Sequence, residues 1–184
     1  MQESFGTRNQ KRKTIGFSSR VGEEWLEILR EEAQRQGLSV NSLINKILES
    51  YCQHYRWVEH FSSINITRPT LKKIVSCCSD DNLKEIAKTS GSIGTKDALR
   101  TMGMSPTYDN VMLFIGSNMG KYSNWFQFNG YTRNRKDVIH LHHEMGKKWS
   151  LFTATQVSTV IESIIHKTAT TEIFDNSATI KIKQ

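Results

Sequence analysis

The chain has 184 residues, of which 37% are hydrophobic and 23% charged, with a formal net charge of +7. That length suits one or two small domains. No run of 18 apolar residues offers a spanning helix, and the polar start from Met1 to Lys13 lacks the apolar stretch of a secretion signal, so a soluble cytoplasmic protein without membrane contact is expected.

Charge is unevenly spread. Residues 1–20 hold Arg8, Lys11, Arg12, Lys13 and Arg20 against Glu3, giving +4. Residues 21–66 sum to −3 and the remainder to +6. A dense basic arm beside a folded element is a common nucleic-acid footprint, although a solubilising tail has the same composition. Met1 to Gln10 is polar and aperiodic, as disordered segments are. Lys13 to Val21 alternates, with Ile15, Phe17, Ser19 and Val21 on one face and Thr14, Gly16, Ser18 and Arg20 on the other, which predicts a short strand. Gly22 to Gln36 reads as a helix. Glu23 and Glu24 favour its positive end, an apolar stripe runs through Val21, Trp25, Leu26, Leu29 and Ala33, and Gly37 stops it. Ser39 caps a second helix, whose apolar face (Leu43, Ile44, Ile47, Leu48, Tyr51) carries on to about His54.

Val58 to Ile66 alternates loosely, as a linker or a first strand of the next domain would. Helices are expected from Thr67–Pro69 to Cys77, from Ser79 to near Gly91, over Thr95 to Met102 and over Asp109 to Lys121. Trp125 to Tyr131 and Lys136 to His143 read as a hairpin, Ser150 to Lys167 as a helix capped by Ser150, and Glu172 to Ile182 as one or two strands around Asp175–Asn176. The cysteines (Cys52, Cys77, Cys78) are odd in number and fit no disulfide framework, as expected of free thiols in a reducing compartment.

A single strand followed by two helices cannot bury its own apolar face. The basic strand KRKTIGFSSRV, the EEW start of the first helix, the turn QGLSVNSLI and the ending ILESY resemble the ribbon-helix-helix superfamily, the MetJ and Arc type, over roughly Arg12 to Tyr55. Ser19 departs from the pattern by standing where an apolar residue is usual. The resemblance implies an intertwined homodimer whose two strands form an antiparallel ribbon in the major groove of double-stranded DNA. Thr14, Gly16, Ser18 and Arg20 would face the bases, with Arg20 suited to guanine. Ser39, Val40 and Asn41 would hold a phosphate at the start of the second helix, and Lys11, Arg12 and Lys13 would add phosphate contacts.

The C-terminal half offers less. His140 and His142 share one face of a strand, a spacing that can bind metal, and nickel-responsive members of the superfamily carry an α/β sensor domain. Histidines satisfied by hydrogen bonds are the more ordinary reading, and no cofactor is otherwise expected. The junction HHEMGKKWS suggests either an anion pocket at a helix start or, preferably, a turn with Trp149 as core anchor. Trp125, Phe126, Phe128 and Tyr131 alternate in the mixed way of ordinary sheet packing. GSIGTKD lacks the glycine spacing of a phosphate loop, and no catalytic arrangement stands out, so an enzyme is not expected.

The expected organisation is α+β: a basic arm (1–11), a ribbon-helix-helix DNA-binding domain (12–55), a linker or strand (56–66), and a C-terminal mixed α/β sensor or oligomerisation domain (67–184). That last domain would carry helices over an antiparallel sheet, with a ferredoxin-like layout as one form. The expected function is sequence-specific repression by a homodimer or a higher oligomer. The alternatives are a metal- or small-molecule-responsive regulator, an antitoxin-like binder of a protein partner, and an architectural protein that coats DNA with little sequence preference.

Overall fold

A computed structural model describes residues 3–4, 14–61, 63–133 and 136–183. The basic-arm residues Lys11, Arg12 and Lys13 lie outside the described residues. The chain divides into two compact units, one of residues 7–62 and one of residues 63–184 with the segment 1–6.

In the smaller unit, α1 (Glu23–Arg35) carries Glu23 and Glu24 in its first turn, where the helix dipole favours them. Gly37, at φ 66, ends it. There the Leu38 N–H reaches back to the Ala33 carbonyl at 2.8 Å and the Gly37 N–H to that of Gln34 at 3.1 Å, the paired bonds of a left-handed helix stop. Ser39 caps α2 (Val40–Ser50), accepting from the Ser42 N–H at 3.1 Å. No Gly or Pro follows before Ser62. The helical path therefore runs on through a π-helical turn, Tyr51–Tyr55, into α3 (Arg56–His60). Up to His60 this helix stands where a linker or a first strand was expected, and residues 63–66 have no regular structure. Among the described residues of this unit, Ala33 and Leu43 are the buried ones.

Of the strand expected over Lys13 to Val21, the described residues Thr14–Val21 form none. Thr14–Val21 has no regular structure and every side chain in it is exposed. A strand needs a partner for its N–H and C=O groups, and one chain supplies none here.

The larger unit is α+β. It begins with α4 (Arg68–Cys77), with Pro69 in its first turn, where the missing N–H costs nothing. Next come α5 (Asp80–Thr89), capped by Ser79, a π-helical turn at Ser90–Gly94 and α6 (Thr95–Thr101). Thr107 caps α7 (Tyr108–Leu113), which continues as a π-helix over Phe114–Tyr122.

Four strands then form an antiparallel sheet: β2 (Gln127–Arg133), β3 (Lys136–His142), β4 (Ala169–Ile173) and β5 (Ser177–Ile182), in the order β2-β3-β5-β4. The two-residue β1 (Glu3–Ser4) pairs outside β2, opposite Thr132 and Tyr131. Two hairpins joined by α8 (Lys147–Ile164) build the sheet. This differs from a ferredoxin-like βαββαβ succession.

Register assigns the faces. The inner row holds Phe128 and Gly130 of β2, Asp137, Ile139 and Leu141 of β3, and Ala178, Ile180 and Ile182 of β5. Helix α8 is buried nearly all round, with Val157, Val160 and Ile161 fully enclosed. It shares one apolar cluster with Ile139, Leu141, Ile180 and Ile182 of the sheet. A second cluster joins its Trp149 and Phe152 to Val75, Leu83, Ala87 and Met145. The N-cap of α8 is Gly146, φ 86, four residues before the expected cap Ser150, which is itself buried.

Candidate nucleic-acid interface

Three local features set the geometry of the smaller unit. Thr14, Gly16, Ser18 and Arg20 are exposed, and so are Ile15 (87%) and Phe17 (80%), which belong on the opposite side of any strand. On α1, Trp25 (63%) and Ile28 (62%) are exposed, and on α2 and the turn after it so are Ile47, Leu48, Tyr51 and Tyr55. Large aromatic and aliphatic groups in water at this density are unusual in a unit of this size.

At the start of α2, the Ser42 N–H is taken by Ser39 Oγ and the Leu43 N–H by the Ser39 carbonyl. The Val40 and Asn41 N–H groups belong to the first turn, which has no intrahelical acceptor for them. With the positive dipole end and no acidic residue in that turn, the position suits an anion. Arg20 and the helix start are thus both accessible. Lys11, Arg12 and Lys13 lie outside the described residues.

In the larger unit, His140 and His142 do share the outer sheet face. Both ring nitrogens of His140 are engaged, Nε2 with the Tyr131 hydroxyl at 3.0 Å and Nδ1 with Thr179 Oγ1 at 2.8 Å. Among the described residues, no group of three His, Cys, Asp or Glu side chains converges as a metal site. Cys77 is exposed, and the half-buried Cys78 donates to the Ile74 carbonyl at 3.6 Å.

The junction HHEMGKKWS is a packed corner. Trp149 is buried and its indole N–H donates to the Trp125 carbonyl at 3.1 Å. The Lys148 ammonium donates to the carbonyls of Ser76, at 3.0 Å, and Cys78, at the negative end of α4. Of the aromatic group, Phe126 is buried, Phe128 points into the core, and Trp125 packs edge-on against Trp149. Tyr131 alone of the four faces outward.

Two buried polar groups escaped the sequence reading. Asp137 accepts from the Tyr108 hydroxyl at 2.7 Å and from Thr132 Oγ1 at 2.8 Å. Burial, then the bond to Asp137, pushes the Tyr108 phenol well above its usual range. His143 Nδ1 accepts the Met145 N–H at 3.2 Å, so its ring proton sits on Nε2 toward Ser150 Oγ at 3.0 Å; Ser150 in turn donates to the Asp175 carbonyl at 3.3 Å. Desolvation chiefly, helped by His142, Arg68 and Lys72, holds the His143 pKa down to about 4. Ser150 is fully buried and His143 nearly so. Only the clustering of polar letters around Gly146 hinted at this pair.

Comparisons with protein families, with curated proteins and with solved structures found no match to this chain. No helix among the described residues is long and apolar enough to cross a membrane.

Proposed function

We propose that the chain is a DNA-binding transcription regulator that acts as a homodimer, with residues 14–21 of two copies paired as an antiparallel ribbon in the major groove. The observation that carries this reading is the exposed apolar set Ile15, Phe17, Val21, Trp25, Ile28, Ile47 and Leu48. It belongs to a unit whose buried described residues are Ala33 and Leu43 alone. Two copies bring two strands and four helices together, pair the strand edges and bury that set. The alternation then turns Thr14, Gly16, Ser18 and Arg20 toward the bases. A two-stranded ribbon fits the major groove, and an arginine there binds guanine through two hydrogen bonds. The starts of both α2 helices hold phosphates on either side. Repression follows from occupying a promoter.

The test is a duplex-binding titration against salt, using the promoter of the protein's own gene and a scrambled duplex, with light scattering for the mass. Arg20→Ala should lose about 1–3 kcal/mol of the preference for the promoter while keeping the dimer mass. Replacing Lys11, Arg12 and Lys13 by Ala should weaken both probes alike and flatten the salt dependence. A monomer that binds neither duplex at low salt would sink the reading. Equal binding of both duplexes would favour an architectural role.

A further inference from the structure

We propose that the outer face of the C-terminal sheet is a second nucleic-acid surface, one that takes single-stranded DNA or RNA with phosphates on a basic rim and a base against Tyr131. The proposal is independent of the ribbon.

The face is read from the register. It presents Gln127, Asn129, Tyr131 and Arg133 on β2, Lys136, Val138, His140 and His142 on β3, Ser177, Thr179 and Lys181 on β5, and Thr170 and Glu172 on β4. Its described charges are unbalanced. Arg133 stands directly opposite Lys136. Lys183, exposed, follows directly on the end of β5, and its N–H bonds the Thr168 carbonyl at 2.9 Å. Two exposed cations thus face each other on β2 and β3, and a third follows the end of the neighbouring β5. Like charges directly opposite each other destabilise a sheet, and among the described pairs of this sheet no acid stands opposite Arg133 or Lys136. Lys181, one row in, is ion-paired with Glu172.

Tyr131 lies two residues inward from Arg133, about 7 Å along the strand. Its hydroxyl is tied to His140, which is tied to Thr179. The Tyr131 and His140 rings sit 5.5 Å apart and tilted by 35°. The platform is therefore held in place before any ligand arrives, which lowers the ordering cost of binding.

Charge complementarity selects a polyanion. A lipid surface would also want apolar side chains to insert, and on this face the apolar Val138 is buried. A duplex major groove admits a helix or a two-stranded ribbon, not the face of a four-stranded sheet. Bases of a single strand can lie on an aromatic ring while their phosphates reach the rim.

The test uses the full chain and a labelled oligothymidylate of about 15 nucleotides, a length that spans such surfaces. Wild type should bind at low salt. Arg133→Ala/Lys136→Ala/Lys183→Ala should bind at least about tenfold more weakly, and its log–log salt slope should shrink by about 2, three contacts at roughly 0.7 each. Tyr131→Ala should lose roughly 5- to 100-fold and Tyr131→Phe little. Thermal melts check that the variants fold, and the rim variant, which alters exposed residues only, decides the matter if Tyr131→Ala does not. Arg20→Ala should leave oligonucleotide binding unchanged, which separates this surface from the ribbon. The proposal is overturned if wild type ignores the oligonucleotide, if the rim variant binds as well as wild type, or if Arg20→Ala abolishes binding. It is equally overturned if the rim binds phosphatidylserine vesicles and not the oligonucleotide.

Discussion

Protonating His143 would turn Nδ1 from an acceptor of the Met145 N–H into a second donor facing it. It would also place a charge in a buried corner near His142, Arg68 and Lys72. The folded pKa of about 4 lies below the ordinary value of 6.5, so between these two pH values the unfolded chain binds the extra proton. Stability should therefore be intact above pH 6.5, fall as the pH drops toward 4, and level off below. After allowance for screening by solvent, the loss is on the order of 2 kcal/mol. Urea unfolding at a series of pH values checks it: His143→Gln, less stable at pH 7, should show a flatter profile through that window. An unchanged profile would mean other groups set the acid sensitivity. The tract HLHH shows what could be read in advance. Alternation correctly placed His140 and His142 on one side of β3, but nothing local told that His143, just past the strand, turns into the core.

Among the elements, the tightest joint is where the π-helical turn Ser90–Gly94 crosses α8. A Cβ on Gly91 would lie 2.6 Å from the Gln156 carbonyl oxygen and 3.0 Å from Thr159 Cβ. Both neighbours are part of a helix that cannot move without disturbing the core, so Gly91→Ala should destabilise by about 1–3 kcal/mol. Gly94, in the same turn, has open space around it, and Gly94→Ala should be neutral or stabilising. Thermal melts of the two variants test the contrast, and equal effects would refute it. Most elements were legible because their signals are local: Glu23–Glu24, Gly37, Ser39, Pro69 and Ser79 each act within a turn. The failures are equally specific. Val58 alternates with its neighbours, yet no breaker separates it from α2, so the helix path continues. Lys147 and Lys148 oppose the dipole at the start of α8, which hid the true first turn. Lys148 is there for the carbonyls that end α4, a contact 70 residues away in sequence. The face pattern of the sheet needed the register, which no local pattern supplies.

At the scale of the whole chain, the two units bury very different amounts. The larger has two apolar clusters organised around α8, and the smaller buries Ala33 and Leu43. If the smaller unit completes its core with a second copy, its unfolding midpoint should rise with protein concentration while that of the larger unit stays fixed. Calorimetry over a hundredfold concentration range tests this, and Leu43→Ala should move only the concentration-dependent transition, by about 2–5 kcal/mol. A single transition independent of concentration would refute the association. The place of α8 in the chain has one more consequence. Four helices and a hairpin, residues 68–142, are made before the helix and the strand β5 that cover them. During synthesis, at about 5–20 residues per second, their apolar sides wait for several seconds at the ribosome with nothing to close on. The larger unit is thus committed to folding late, and a chain cut short before Ile182 would be a client for chaperones and proteases rather than a smaller version of the same domain.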